Sequence, residues 1–199
     1  MVSNSLRNRI VLLNAPKGAG KDTIGAALAK LTGCSLRSFK SALYDCAYPF
    51  TDCPDYDTFI SLCTGRESKE RGSSYFHDMS PRAFLIHISE NITKPNFGGQ
   101  FFGEKSAKSI TNTAFEAGVV FTDSGFEEEV HPLAKEFGED NLCVVQFVGQ
   151  GSEDFSGDSR EFISVRGVMT IRMKEKNENM TPKEFAKLIL KEIQKNDRS

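Results

Sequence analysis

The stretch of residues 14–23, Asn-Ala-Pro-Lys-Gly-Ala-Gly-Lys-Asp-Thr, constrains the fold most, because it joins an apolar segment to one with helical spacing. Residues 10–13 are branched and uncharged, which predicts a buried parallel strand, and residues 24–31 predict a helix. Between them, Gly18 and Gly20 allow left-handed backbone conformations. Several N–H groups can then point at one anion, at the positive end of the helix. The stretch therefore predicts a strand, loop and helix that bind phosphate.

The side chains of this loop suit a nucleotide. Lys21 supplies a mobile positive charge for β and γ phosphates, and the Thr23 hydroxyl is a ligand for Mg²⁺. The common pattern is G-x-x-x-x-G-K-[ST], and this chain departs from it at Ala15 and at Asp22. The alternative is a strand–helix turn whose lysine has no role, but the surrounding strand, helix and Lys-x-Thr offset favour phosphate binding. The predicted nucleotide-binding residues are Lys17, Gly18, Ala19, Gly20, Lys21, Asp22 and Thr23, joined by Arg160.

Composition excludes several other classes of function. A net charge of −2 gives no electrostatic reason to expect nucleic acid as a partner, whereas a mononucleotide needs only a few placed cations. No apolar run has the length that spans a bilayer, and the N-terminus lacks a hydrophobic signal core, so we expect a cytoplasmic protein. No two of the five cysteines form a C-x-x-C pair, and the three histidines do not have the spacing of metal ligands. Neither a zinc site nor a disulfide framework is indicated.

The order of strand, loop and helix repeats about five times along the 199 residues. That order predicts one α/β domain, with a mostly parallel five-stranded sheet and helices on both faces. We expect a core of residues 6–39 and 117–199, an acceptor-binding insertion at about 40–116, and a lid at about 149–166. Further strands are predicted at 35–39, 119–123, 142–148 and 168–172. Helices are predicted at 102–115 and 126–137, and a capping box at Thr181 predicts a last helix that runs to about residue 195.

Asp123 stands at the end of the predicted strand 119–123. In a parallel sheet its carboxylate emerges at the same edge as the loop that follows residues 10–13. An acid at that place can hold Mg²⁺ or a water bound to it, beside the Thr23 hydroxyl. The alternative is a cap for the helix that starts near Phe126, and both roles are compatible.

Four cations are candidates for binding the acceptor. Arg82 is the strongest, because Ser80 and Pro81 predict a helix start beside it and a guanidinium there suits an anion. Lys40 follows the second predicted strand, and Arg66 and Lys69 lie in a charged stretch at 64–72. For each of the four, a solvated surface side chain is the alternative.

Arg160 lies at the end of the polar, glycine-rich residues 149–159, whose length suits a mobile flap. If that flap closes, its arginine would stabilise negative charge on the γ-phosphate and help to exclude water. The alternative is a loop arginine paired with Asp158. Lys21, Asp123, Arg82 and Arg160 are thus the predicted catalytic residues.

With these residues placed, the chain resembles the phage-type deoxynucleoside monophosphate kinases along most of its length. The resemblance rests on the order of five stretches: residues 17–23, 38–43, 80–87, 97–102 and the strand that ends at Asp123. It implies a P-loop kinase fold that transfers the ATP γ-phosphoryl group to a deoxynucleoside monophosphate, with Mg²⁺. By that resemblance, Lys21 and Thr23 bind ATP and metal, Arg82 and Lys40 lie at the monophosphate, and Asp123 lies between the two.

One departure from that family concerns the second residue after the strand-end acid. The family often has an arginine there, whereas this chain has Gly125. One acceptor or phosphoryl contact is therefore missing or supplied from elsewhere in the chain. The partners implied are small nucleotides, the protein would be a monomer or homodimer, and a phage-encoded protein would act in the host cytoplasm. Two other functions stay open: a kinase for another phosphorylated metabolite, such as dephospho-coenzyme A, and a nucleotide-binding regulator without turnover.

Overall fold

A computed structural model describes residues 6–149, 155, 160–174 and 180–197 of the chain. The chain divides into two compact units, one formed by residues 1–39 with 103–199 and the other by residues 40–102. Half of the predicted lid at 149–166, including Asp158, lies outside the described residues.

In the described part of the first unit, five parallel strands form one sheet in the order β2-β3-β1-β4-β5. The strands are β1 (Ile10–Asn14), β2 (Ser35–Arg37), β3 (Val119–Ser124), β4 (Leu142–Phe147) and β5 (Met169–Met173). The central strand β1 pairs with β3 on one side and β4 on the other, so that Leu12 lies opposite both Phe121 and Val144. The predicted parallel α/β sheet is confirmed, and the strand that carries Asp123 lies beside β1.

The helices of the described chain are α1 (Lys21–Thr32), α2 (Phe39–Ala47), α3 (Tyr56–Thr64), α4 (Pro81–Ile86), α5 (Lys94–Phe97), α6 (Phe101–Ser109), α7 (Asn112–Ala117), α8 (Glu127–Phe137) and α9 (Pro182–Asn196). Residues of 3₁₀ helix lie at Tyr48–Phe50, Ser68–Glu70, Ser74–Phe76 and Glu139–Asn141, and a π-helical turn at His87–Thr93 connects α4 to α5.

Two of the predicted elements were wrong in extent. The single helix expected at 102–115 is two helices, α6 and α7, because the Thr111 side chain accepts a hydrogen bond from the Ala114 N–H and starts a new helix. The strand expected at 35–39 ends at Arg37, since Phe39 already begins α2. The first error follows from a local cap that the hydrophobic pattern does not reveal, and the second from a helix whose first N–H donates to Asp123, 84 residues away.

Hydrophobic clusters cover both faces of the sheet. Val11 and Leu13 of β1 share one cluster with residues of α1 and α9, while Ile10 and Leu12 share another with residues of α6, α7 and α8. Successive strand residues point to opposite faces, so a central strand with helices on both sides is apolar at every position. All five residues of β1 are buried, which is why its sequence does not alternate.

The unit of residues 40–102 has a core of its own. Its buried aromatic residues are Phe59, Phe76 and Phe84, whose neighbouring ring centroids lie 5.9 and 5.5 Å apart. Partly buried Tyr44 and Tyr48 pack against the same cluster. Aromatic side chains bury a large apolar area each, which suits a unit with few other buried residues.

Across the described ranges, the helices are too short or too polar for any of them to pass through a lipid bilayer.

The start of α9 allows the contribution of a helix cap to stability to be measured. The Thr181 hydroxyl accepts a bond from the Glu184 N–H, and the Glu184 carboxylate accepts bonds from the Thr181 N–H and hydroxyl. Thr181→Ala should lower the free energy of unfolding by about 1 kcal/mol in urea titrations at pH 7. Thr181→Ser keeps the cap and is the control, so equal stability of the two variants would contradict the assignment.

The same hydrogen bonds determine how the stability of the protein changes with pH. Hydrogen bonds from the Thr181 N–H and hydroxyl lower the pKa of Glu184. Glu184 therefore contributes to the free energy of unfolding at pH values above the pKa that it has in the unfolded chain. That contribution is lost as the pH falls through the lower pKa that it has in the folded protein. The stability gap between Thr181→Ala and Thr181→Ser should shrink below about pH 4.

Candidate phosphate-binding site

The loop between β1 and α1 has the backbone that an anion site needs. Gly18 has a φ of 86° and Gly20, the residue before α1, has a φ of 77°, both in the left-handed region. An added Cβ at Gly20 would meet no atom within 4 Å, so glycine is needed there for its conformation and not for space. Ala15 and Ala19 are buried, whereas Lys17, Gly18 and Gly20 are exposed at the loop surface. The loop thus presents its backbone outward at the N-terminus of a helix of twelve residues.

Lys21 is the first residue of α1 and only 9% exposed. Its Nζ donates to the carbonyl oxygens of Ala15 and Pro16, at 2.5 and 2.9 Å. The side chain therefore turns back toward the loop that precedes it, and its ammonium lies against the loop instead of in bulk water. Asp22 and Thr23, the next two residues of the helix, are exposed.

Asp123 lies on β3, the strand that pairs directly with β1. Its Oδ2 accepts a bond of 2.5 Å from the Ser38 hydroxyl, and its Oδ1 accepts a bond of 3.0 Å from the Phe39 N–H. Phe39 is the first residue of α2, and its ring stacks on Phe121 of β3 at a centroid distance of 4.3 Å. The carboxylate therefore joins the end of β3 to the start of α2, which fixes its orientation at this edge of the sheet.

A buried amide at the end of β1 was not singled out from the sequence. Asn14 has no exposed surface, and its Nδ2 donates to the carbonyl oxygens of Ser124 (3.2 Å) and Glu161 (3.0 Å). Its Oδ1 accepts a bond of 3.0 Å from the Ile163 N–H. One side chain thus connects the ends of β1 and β3 with residues 161–163, which lie in the last part of the predicted lid.

Gln146 on β4 completes this network. It lies opposite Asn14 in the pairing of β1 with β4 and is 1% exposed. Its Nε2 donates to the Ile163 carbonyl at 2.8 Å, and its Oε1 accepts from Arg172 Nε at 3.0 Å. In sequence, both amides interrupt an apolar strand near its carboxyl end. A polar residue at the end of a buried strand was the signal that could have identified them. A buried amide needs hydrogen-bond partners, so such a residue indicates a bond to another segment.

Arg160 lies where this network meets β3. The N–H of Glu161 donates to the Gly125 carbonyl at 3.3 Å. A Cβ added to Gly125 would lie 2.4 Å from both Cγ and Cδ of Arg160. The aliphatic part of the arginine side chain therefore lies directly on the Gly125 backbone, two residues beyond Asp123.

The four acceptor candidates, Lys40, Arg66, Lys69 and Arg82, belong to the unit of residues 40–102. The Ser80 hydroxyl accepts a bond from the Ala83 N–H, so α4 begins as predicted. Arg82 Nε donates to Glu70 Oε1 at 2.8 Å, with both side chains about half exposed (44% and 50%). Such a pair contributes little to stability, about 0 to 1 kcal/mol. The roles of these four cations stay predictions.

Comparisons with known proteins support the fold. No protein-family model matches the chain, and no curated protein matches it. A solved structure of a sugar kinase from Janibacter sp. HTCC2649 matches with a TM-score of 0.50 over 92% of each chain, at 9% sequence identity. A candidate kinase from Chloroflexus aurantiacus j-10-fl matches with a TM-score of 0.47 over 96% of this chain and 98% of its own, also at 9% identity. The first likeness, together with the all-parallel sheet, shows a P-loop kinase-like α/β fold.

The hydrogen bonds of Asn14 predict that its substitution by alanine strongly lowers the stability of the protein. Asn14→Ala removes three hydrogen bonds from a side chain that has no exposed surface. We expect the free energy of unfolding to fall by about 3 kcal/mol, measured by urea unfolding. Asn96→Ala is the control, because that exposed amide donates to the Ile92 carbonyl within its own helical stretch, and its loss should change stability by less than about 0.5 kcal/mol. Equal effects of the two substitutions would contradict the structural role of Asn14.

Proposed function

We propose that the protein transfers the γ-phosphoryl group of ATP to a nucleoside or deoxynucleoside monophosphate, giving ADP and the diphosphate. The observation that carries this proposal is the loop of residues 14–20, with left-handed glycines before α1 and the Lys21 ammonium held against its carbonyl oxygens. The loop offers N–H groups, the positive end of a helix and a buried cation together. That combination suits the phosphates of a donor nucleotide.

Lys21 would exchange carbonyl partners for phosphate oxygens when the donor binds. A lysine that is already turned toward the loop needs little movement, so less side-chain entropy is lost on binding. An ammonium with limited access to water also interacts more strongly with an anion than an exposed one does. These two effects support Lys21 as the cation for the β and γ phosphates.

Thr23 and Asp123 supply the oxygen donors that Mg²⁺ prefers. Thr23 is exposed on the first turn of α1, and the Asp123 carboxylate is oriented by Ser38 and Phe39. An acid at this edge of the sheet could hold Mg²⁺ or a water bound to it. Bound Mg²⁺ would neutralise charge on the phosphate oxygens.

On the acceptor side, Arg82 is the residue we propose for the monophosphate, with Lys40, Arg66 and Lys69 as further candidates. Its guanidinium is half exposed and held by one carboxylate, that of Glu70. A phosphate can replace that carboxylate and accept two parallel N–H bonds from the guanidinium. We further propose that the protein's partners are small nucleotides and that it acts as a monomer or homodimer.

The direct experiment is to incubate the protein with ATP, Mg²⁺ and single acceptors while following ADP. The panel holds each nucleoside and deoxynucleoside monophosphate, dephospho-coenzyme A, and simple sugars, since one structural neighbour is a sugar kinase. ADP formed only with a monophosphate supports the proposal. ADP formed only with another acceptor supports a kinase that acts on a different substrate. ATP binding without turnover supports a nucleotide-binding regulator.

Lys21→Ala should lower kcat/KM by at least about 30-fold, which corresponds to about 2 kcal/mol of transition-state stabilisation. Circular dichroism should show an intact fold, because the lost bonds lie within the loop. Lys30→Ala, at an exposed position in the last turn of α1, is the matched control and should behave like the wild type. A fully active Lys21→Ala variant would rule out the proposed donor site.

Arg82→Ala should raise the KM for the monophosphate by about 10-fold or more while the KM for ATP changes little, since a charged hydrogen bond contributes about 1.5 to 3 kcal/mol. Initial rates with each substrate varied in turn give both constants. Arg71→Ala, which removes an exposed arginine nearby in sequence, is the control. An unchanged acceptor KM would leave Arg82 as a surface residue.

A further inference from the structure

Gly125 is a position where the contact with one side chain, and not the backbone conformation, requires glycine. Its φ does not lie in the left-handed region, so the φ angle does not by itself require glycine. The three atoms nearest to an added Cβ are Cδ, Cγ and Cβ of Arg160, at 2.4, 2.4 and 2.8 Å. Those distances are shorter than carbon atoms approach without a bond, since contacts between carbons are optimal at about 3.5 to 4.0 Å. An alanine at 125 would therefore displace Arg160.

The conflict could not be relieved by turning the end of the arginine. It includes the Cβ and Cγ atoms, which the backbone and the first torsion of the side chain place. The backbone just beyond Arg160 is itself held, because the Glu161 N–H donates to Gly125 and the Glu161 carbonyl accepts from Asn14. Displacement of the side chain would thus also strain bonds to the ends of β1 and β3.

The sequence left an open question at this position, since Gly125 stands where the resembling family often has an arginine. The structure has an arginine side chain on the same spot, but it comes from residue 160. Its stem crosses the chain two residues after Asp123, at the carboxyl edge of the strand that pairs with β1.

We propose that Gly125 is a positioning residue, which admits Arg160 to the carboxyl edge of β3 and holds it there as a fixed cation for the transferred phosphoryl group. This inference rests on the proposed phosphoryl transfer. A cation that is already in place loses less freedom when the substrates bind, and it requires no reorganisation as charge develops in the transition state. Arg160 then acts from a fixed position and not only when a flap closes over ATP.

The test uses Gly125→Ala, Arg160→Gly and the double variant in the full-length protein. Arg160→Gly should lower kcat by about 100-fold or more, with the KM for ATP within about threefold of the wild type, because the cation stabilises mainly the transition state. Gly125→Ala should lower kcat by about 10-fold or more with the same small effect on KM. The double variant should be no slower than Arg160→Gly alone, because the arginine that Gly125 positions is already gone. Multiplicative effects, or a fully active Gly125→Ala, would overturn the inference.

Stability supplies a readout that does not depend on turnover. Gly125→Ala should lower the midpoint of urea unfolding in the wild-type background and leave it unchanged when residue 160 is glycine, because the conflicting atoms are then absent. An equal shift in both backgrounds would show that Gly125 serves the backbone and would contradict the contact. A wild-type protein that turns over no acceptor would instead refute the proposed function, and the stability comparison would still decide whether Gly125 seats Arg160.

Discussion

The carboxyl end of β1 is the place on which both the fold and the candidate site depend. β1 is buried on both faces and pairs with two strands, so its last residue is fixed by the central part of the sheet. From there the chain turns through two left-handed glycines into α1, and Lys21 bonds back to the loop carbonyls. A loop that is anchored at both ends loses little freedom when it binds an anion, which is the general requirement of a preorganised site.

The same strand end also organises the residues that lie farther along the chain. Asn14 and Gln146 are buried amides on neighbouring strands, and together they bond to residues 161–163. An unpaired amide in an apolar interior would cost several kcal/mol by transfer estimates, so these bonds strongly favour one placement of that segment. Arg160 precedes it and lies on Gly125. The polar network of the core thus determines where a cation of the candidate site is held.

The charge of the protein is consistent with a site built from a few placed cations. The formal net charge is −2, so the chain carries no overall excess of positive charge. Lys21 and Arg160 instead lie on elements fixed by packing and hydrogen bonds in one unit, and Arg82 lies in the other unit beside Glu70. Single cations of this kind suit a small, highly charged ligand. Such a ligand is bound through one or two direct contacts, which do not need a positive potential over a large surface.

Patterns between near neighbours predicted a large part of the fold. Four apolar residues, two glycines and a helical repeat identified β1, the loop and α1, and the capping box at Thr181 identified α9, because each signal acts between residues a few positions apart. The break between α6 and α7 was missed, since it depends on one Thr111 cap inside an otherwise helical pattern. The charged stretch that contains Arg66 and Lys69 gave candidates but no geometry, and for Arg82 the sequence predicted only the start of its helix.

The sequence by itself determined that a turn with two left-handed glycines lies between a buried strand and a helix, because that unit is encoded in consecutive residues. Only the tertiary structure decided that Asn14 holds residues 161–163, that Asp123 joins β3 to α2, and that Arg160 occupies the space over Gly125. These contacts join residues 35 to 149 positions apart in the chain. Their partners are set by strand order and register, which the packing of the whole sheet selects and no short pattern encodes.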